Sequence, residues 1–226
     1  MKLTLCVPLI WMLFSSAEAL ECVQEYHRSD AMSRKGPEPC NPPGDDCATV
    51  SNPDLTNSGS ELYSVRRTCL PSYLCNKGDQ SFALRYGDVR LAASLQCCPT
   101  DGCNDKPIPI SDLHKQIPNG LECFSCPPSD SYCDQKHQCV GIQDRCIILD
   151  ATDRGRTNRL RGCASANLCE GHTDQKVKLM LTQSIYVDDL EFTSPKCCDT
   201  NLCNSAPADK LSVIPLLLAL VVFSVS

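Results

Sequence analysis

The chain has 226 residues, 19 cysteines and a formal net charge of −6 at pH 7. A cysteine content this high is typical of oxidised extracellular chains and unusual in the reducing cytosol. The charges are mixed in sign and form no basic run, which argues against a nucleic-acid partner.

Residues 1–19 are predicted to be a secretory signal peptide. An early lysine precedes an apolar run over residues 3–14, and the stretch Ala17-Glu18-Ala19 follows. This order, with an A-x-A cleavage site, predicts a mature chain that begins at Leu20. The alternative is an uncleaved membrane anchor, which is disfavoured because a spanning helix needs about 20 apolar residues. Removal of the segment takes away Cys6 and leaves 18 of the 19 cysteines, an even number.

The remainder of the chain is predicted to be a tandem duplication. The stretch Cys-Cys-x-x-x-x-Cys-Asn occurs at residues 97–104 and again at 197–204, an offset of 100 residues. Further features repeat in the same order, which indicates an internal repeat. The matching features are Leu20-Glu21-Cys22 with Leu121-Glu122-Cys123, Cys40-x6-Cys47 with Cys139-x6-Cys146, and Cys69-x5-Cys75 with Cys163-x5-Cys169.

These repeats predict three parts of the mature chain. A first domain covers residues 20–104, a proline-containing linker covers 105–119, and a second domain covers 120–204. Neighbouring cysteines do not pair comfortably with each other, because their Cα atoms lie only about 3.8 Å apart. One cysteine of each adjacent pair must therefore reach a distant partner, while the other can close a short loop to Cys103 or Cys203.

The segments between cysteines predict β-hairpins, and no long segment has a convincing helical period. Apolar residues of one parity predict half-buried strands in each domain. Small domains cannot build large hydrophobic cores, so disulfides must supply much of the stability, on the order of 2–4 kcal/mol each where the closed loop is long. The residues of one parity are Val89, Leu91, Ala93 and Leu95 in the first domain, and Leu179, Leu181, Ile185 and Val187 in the second.

Residues 205–226 are predicted to be a signal for a glycosylphosphatidylinositol anchor, removed when the lipid is attached. Small residues, a short polar spacer and an apolar run over Val213–Ser226 follow one another, which is the pattern of such signals. Asn204 is the favoured attachment residue and Ser205 the second choice. A transmembrane helix is disfavoured because the run is short and no basic residue follows it. A soluble chain with an apolar tail is the other alternative.

Together these residues resemble the domain of the lymphocyte-antigen-6 and urokinase-receptor family. The order of the cysteine spacings, the Leu-Glu-Cys opener and the closing motif carry the resemblance over nearly all of the mature chain. It implies an all-β fold of two tandem disulfide-rich three-finger domains, the fold of snake toxins. It also implies the disulfides Cys22–Cys47, Cys40–Cys69, Cys75–Cys97, Cys98–Cys103, Cys123–Cys146, Cys126–Cys133, Cys139–Cys163, Cys169–Cys197 and Cys198–Cys203.

The first domain departs from the family pattern because it lacks the counterpart of Cys126–Cys133. Glu25 and approximately Arg34 stand in its place, so the first finger should be looser than its counterpart. The urokinase receptor lacks a different bond in its first domain and has three domains, so the closer likeness is to two-domain members. These include lipid-anchored surface proteins and secreted phospholipase inhibitors.

The resemblance implies that Asn104 and Asn204 are structural, with side chains that hydrogen-bond to the backbone of the core. For Asn204 this role competes with that of the lipid attachment residue. If the core needs the Asn204 side chain, attachment shifts to Ser205.

No motif in the sequence indicates an enzyme or a cofactor. The chain has neither Gly-x-Ser-x-Gly nor His-Glu-x-x-His. Cys123-x2-Cys126 could form half of a zinc site, but disulfides are favoured in a secreted chain of matched cysteines. Gly44-Asp45-Asp46 could touch calcium, but a solvated loop is favoured because a calcium cage needs about six ligands. We therefore expect no catalytic residues and no metal site.

Function is instead predicted to be binding of an extracellular protein through the fingers. The candidate contact residues combine arginines with large apolar side chains, as interfaces often do. The alternative is a solvated surface whose charges balance across strands. The candidates are Arg154, Arg156 and Arg159 in the middle finger of the second domain, and Tyr186, Leu190 and Phe192 in its third finger.

Two functions follow as hypotheses. The first is a receptor-like or adhesion module on the outer face of the plasma membrane, held there by the lipid anchor. The alternative is a secreted, soluble inhibitor of an extracellular enzyme such as a phospholipase. The fold alone does not decide between them.

Overall fold

The computed structural model describes residues 19–28, 31–53, 63–107, 113, 117–127, 129–130, 132–181 and 190–205. The predicted signal peptide before Ala19 and the predicted anchor signal after Ser205 lie outside the described residues, as does Tyr186. Neither helix in the described part of the chain has the length and apolar character needed to cross a membrane.

The first unit consists of three β-hairpins, one for each finger. A short helix, α1, Ser72–Cys75, connects the second hairpin to the third. The strands are β1, Glu21–Arg28, and β2, Ala31–Pro39, in finger I; β3, Asp45–Pro53, and β4, Tyr63–Pro71, in finger II; and β5, Gln80–Tyr86, and β6, Val89–Cys98, in finger III.

The second unit repeats this plan with one change in its third finger. A helix, α2, Thr173–Met180, precedes the last strand, so the prediction of a strand at Leu179 is wrong. The buried positions of α2 include Thr173, Lys176, Val177 and Met180, which recur at helical spacing. Two of these are polar, and the apolar residues alone therefore did not show the helical period. The strands are β7, Pro118–Phe124, β8, Lys136–Val140, β9, Arg145–Asp153, β10, Arg156–Ala164, and β11, Leu190–Cys198.

The two units share one antiparallel sheet. Its nine strands lie in the order β11-β9-β10-β5-β6-β3-β4-β1-β2, while β7 and β8 form a separate two-stranded sheet. The units meet where β10 pairs with β5, with Cys163 opposite Arg85 and Ala164 opposite Leu84. We call this junction the seam.

A single hydrophobic core crosses the seam. Phe82, Leu84 and Leu95 of the first unit belong to the same cluster as Ile147 and Val177 of the second, and all five side chains are 0% exposed. The expectation of two small separate cores is therefore wrong. Because each unit covers an apolar face of the other, burial supplies stability that the sequence assigned to disulfides.

Polar groups at the seam are also paired across it. The Asn52 amide donates to the carbonyl oxygens of Ala92 in its own unit, at 3.1 Å, and Leu179 in the other, at 3.0 Å. The Ser165 hydroxyl accepts from the Ala83 amide at 3.1 Å. Such bonds satisfy backbone groups that would otherwise be buried without partners.

Nine disulfides cross-link the described part of the chain, and they join the pairs that the family resemblance implies. Each unit has one bond that closes the short loop at its end and others that tie the bases of the fingers together. The bonds are Cys22–Cys47, Cys40–Cys69, Cys75–Cys97, Cys98–Cys103, Cys123–Cys146, Cys126–Cys133, Cys139–Cys163, Cys169–Cys197 and Cys198–Cys203.

Candidate binding surface

The tip of finger II in the second unit places two predicted contact residues in solvent. Arg154 lies in the turn between β9 and β10, and both it and Arg156 are exposed. Arg159 is different, because its guanidinium donates to both carboxylate oxygens of Asp150, at 2.7 and 3.3 Å. That hydrogen bond raises the pKa of Arg159 above its usual value. Arg159 therefore fits the alternative in which charges balance across neighbouring strands.

The third finger does not extend this surface as the sequence suggested. Phe192 is only 4% exposed and belongs to the shared core, so the prediction that it contacts a partner is wrong. Leu190 is half-buried and packs against the same core. The pairing of β11 with β9 explains this, since it turns alternate residues of β11 towards the core. Tyr186 lies outside the described residues.

Finger I of the first unit holds an ion network where the second unit has a disulfide. Glu25 and Arg34 are directly opposite in the pairing of β1 with β2, and a guanidinium nitrogen of Arg34 lies 3.5 Å from the Glu25 carboxylate. Glu25 also pairs with Arg67 on β4. Arg34 reaches Asp105 at 2.6 Å, which ties the end of the unit to finger I. Charged pairs thus link the strands at the position of the absent bond.

Arg67 is the buried centre of this network. Its Nε donates to the Asn104 carbonyl oxygen at 2.6 Å, and its Nη2 donates to that of Lys106 at 3.0 Å. The side chains of Arg67 and Glu25 are 10% and 7% exposed. A buried charge pair with additional hydrogen bonds loses much stability when one partner is removed.

We therefore predict that Glu25→Ala destabilises the protein by about 3 kcal/mol, because the Arg67 charge is then buried without a carboxylate. Arg34→Ala is the matched comparison, since that side chain is 45% exposed. Its expected cost is about 1 kcal/mol or less. Guanidinium unfolding of both variants measures the difference. Equal losses would contradict the buried role of Glu25.

The opposite face of the same strands forms an open cleft of about 290 Å³. Tyr26 on β1 is paired with Ser33 on β2 and with Arg66 on β4, so the three residues share one face of the sheet. The residues that line the cleft are Gln24, Glu25, Tyr26, Ser33, Lys35, Glu38, Arg66, Arg67 and Thr68.

Arg66 has an unusual position in this cleft. Its Nε is buried, and the side chain forms no hydrogen bond or ion pair within the described part of the chain. Burial lowers the pKa of the Arg66 guanidinium, and the nearby Tyr26 acts in the opposite direction. Arginine nevertheless stays protonated in proteins, so the cleft contains an unpaired positive charge.

The sequence analysis did not single out Arg66, although it contained a signal. Arg66 and Arg67 are consecutive residues of a strand, and consecutive side chains of a strand point to opposite faces. A single carboxylate opposite the pair, Glu25, can therefore serve only one of them directly. Recognising this required the pairing of β1 with β4, which the sequence does not specify.

Two groups of cysteine sulfurs in the described residues lie close enough together to resemble metal sites. The groups are Cys22, Cys40 and Cys69, and Cys123, Cys139 and Cys163, with sulfurs within 4.8 Å of one another. All six cysteines are in disulfides. Because metals bind thiolates, these groups are crossings of disulfides at the bases of the fingers.

The chain matches the u-PAR/Ly-6 domain twice, over residues 18–106 and 119–206. It is 29% identical over 188 residues to the urokinase plasminogen activator surface receptor of Bos taurus, which covers 79% of this chain and 52% of the receptor. It is 30% identical over 130 residues to a gamma-type phospholipase A2 inhibitor of Elaphe climacophora, which covers 55% of this chain and 64% of the inhibitor. The chain thus spans about half the length of the bovine receptor.

Proposed function

This chain belongs to the u-PAR/Ly-6 domain family, and from that premise we propose that it is a non-catalytic, lipid-anchored cell-surface protein that binds an extracellular protein ligand. Relatives named as a surface receptor and as enzyme inhibitors support a binding role. The observation that carries the proposal is the fusion of the two family units into one sheet and one core. This arrangement holds exposed hairpins of both units on a common support, as binding loops require.

The small residues, polar spacer and apolar run after residue 204 support the lipid anchor. Within the proposal we favour Ser205 over Asn204 as the attachment residue. Asn204 is 1% exposed, whereas Ser205 is exposed and follows directly. The enzyme that exchanges the tail for the lipid needs access to the peptide bond after the attachment residue, and Ser205 provides it more readily.

Release by a phosphatidylinositol-specific phospholipase tests the anchor. Cells that express the full chain are expected to lose surface signal and to gain protein in the medium after treatment. A variant truncated after Ser205 is the matched control and is expected in the medium without treatment. Mass spectrometry of the released C-terminal peptide identifies the attachment residue. Surface protein that resists the enzyme would contradict the anchor.

A second candidate function is a secreted phospholipase A2 inhibitor. The coverage of relatives favours keeping it, since the match extends over 64% of the Elaphe climacophora inhibitor but 52% of the bovine receptor. Protein found in the medium before any enzyme treatment would favour this candidate. Its test is then inhibition of a secreted phospholipase A2 by the purified protein at matched concentrations.

A further inference from the structure

The cleft on the first unit carries an inference that goes beyond the proposed anchor and beyond the finger tip of the second unit. We propose that the cleft around Arg66 binds one carboxylate group of an acidic side chain on a protein partner. The proposal deepens the binding role proposed above, because it names the chemistry of the ligand and the residues that receive it.

The charge balance of the cleft supports a single carboxylate. Glu25 pairs with Arg67, and Lys35 lies 3.8 Å from Glu38. These two pairs cancel, which leaves the positive charge of Arg66 without a counterpart in the described chain. A carboxylate accepts two parallel hydrogen bonds from a guanidinium, which is the strongest pairing that this group makes.

The neighbouring side chains suit the same ligand. Tyr26, Ser33 and Thr68 line the cleft beside Arg66, and each has a hydroxyl group that can donate a hydrogen bond. Arg66 is already partly withdrawn from water, so forming the pair in the cleft requires less further desolvation of the guanidinium than it would at an exposed site. The cleft is thus prepared for an anion before the partner arrives.

The location of the cleft leaves it open to a partner. β2 is the terminal strand of the nine-stranded sheet, and the seam between β5 and β10 lies four strands away from β1 in the strand order. Residues Met32 to Pro39 of β2 are exposed throughout. A protein can therefore approach finger I without contacting the second unit.

The alternative ligand, a polyanionic chain such as a sulfated polysaccharide, fits less well. Glu38 lies on the cleft, and the whole chain has a net charge of −6. Both would repel a ligand with many negative charges, whereas a single carboxylate needs only the one cation that is unpaired.

The test measures peptide binding to the processed full-length protein by saturation-transfer NMR. The probes are acetyl-Gly-Glu-Gly-amide and its neutral counterpart, acetyl-Gly-Gln-Gly-amide. The acidic peptide is expected to bind about tenfold more tightly than the neutral one, because charge-assisted pairs are the stronger ones. Binding should weaken as salt is added, since the cleft is open to solvent. Equal binding of the two peptides would overturn the proposal.

Two variants assign the effect to the cleft. Arg66→Gln is expected to lose the preference for the acidic peptide, and Arg66→Lys is expected to retain part of it, because lysine keeps the charge but not the planar fork. Arg156→Gln is the matched control, as Arg156 is an exposed arginine on the second unit. Thermal unfolding checks that each variant is folded. A preference that survives in folded Arg66→Gln, or that disappears in Arg156→Gln, would overturn the assignment.

A heparin oligosaccharide provides the remaining arm. If it binds more tightly than the acidic peptide, and if Arg66→Gln abolishes this binding, the cleft is a sulfate site and the proposal of a protein carboxylate is wrong. None of these measurements depends on a lipid anchor. Failure of the carboxylate site is therefore distinguishable from failure of the phospholipase release.

Discussion

Replacing Gly162 by alanine is expected to open the seam between the two units. A Cβ atom built on Gly162 would lie 1.7 Å from the Arg85 carbonyl oxygen and 2.8 Å from its carbonyl carbon. Both of these are backbone atoms, so no side chain can rotate away to make room. The strands β5 and β10 must therefore move apart at the point where they pair.

The expected cost is about 4 kcal/mol, because overpacking combines with loss of buried contacts at the seam. The core crosses this junction, so its apolar side chains lose cover as the strands separate. Wild-type protein is expected to unfold in one calorimetric transition. The Gly162→Ala variant is expected to unfold in two transitions, with faster amide exchange in β5 and β10.

Gly36→Ala is the matched control, since Gly36 also lies in a strand. A Cβ atom at Gly36 meets nothing within 4 Å, and its backbone is outside the left-handed region. The control is expected to change the free energy of unfolding by less than about 0.5 kcal/mol. If Gly162→Ala is as stable as Gly36→Ala and shows a single transition, the tight pairing of β5 with β10 is not what holds the units together.

The sequence predicted the family, the duplication and the β-rich fold because these depend on features that are close along the chain. The spacing between Cys69 and Cys75, for example, recurs between Cys163 and Cys169 regardless of how the units pack. Hairpins follow from local alternation in the same way, and the predicted strand around Leu91 is present as β6.

The seam could not be predicted, because it depends on contacts between residues far apart in sequence. Gly162 is informative only when Arg85 is known to lie against it, 77 positions earlier in the chain. Phe192 was misassigned for the same reason. An aromatic residue near acidic residues is typical of a surface, but here β11 packs it into a core that the first unit helps to build.

The helix α2 shows how tertiary contacts override a sequence pattern. Lys176 is 4% exposed, and its ammonium group donates to the Asn167 carbonyl oxygen at 2.6 Å. Burial lowers the pKa of Lys176. The Thr173 hydroxyl donates to the Leu168 carbonyl oxygen at 2.7 Å. Polar side chains can occupy buried positions when they are paired in this way, and the apolar pattern of the sequence then loses its helical period.

Asn204→Ala is expected to be among the most destabilising single substitutions outside the cysteines. The Asn204 side chain accepts from the Phe124 amide at 3.0 Å and donates to the carbonyl oxygens of Phe124 and Ile147, at 2.8 and 3.1 Å. It thereby joins the closing loop to fingers I and II. Alanine would leave these backbone groups buried without partners, at a cost of about 1–3 kcal/mol for each group that water cannot reach.

The expected loss is about 4 kcal/mol in the free energy of unfolding, measured with guanidinium while the disulfides are kept oxidised. Asn158→Ala is the matched control, because Asn158 is exposed on β10, and its change is expected to be within about 0.5 kcal/mol. A loss for Asn204→Ala no larger than that of the control would show that water or local movement satisfies the exposed backbone groups.

The duplication makes a second form of the same prediction. Asn104 occupies the equivalent place in the first unit, where it accepts from the Val23 amide at 3.0 Å and donates to the carbonyl oxygens of Val23 and Ala48, at 3.0 and 3.2 Å. Asn104→Ala should therefore show a loss of similar size. Since the two units share one core, either substitution is expected to lower the stability of the whole protein and not only of its own unit.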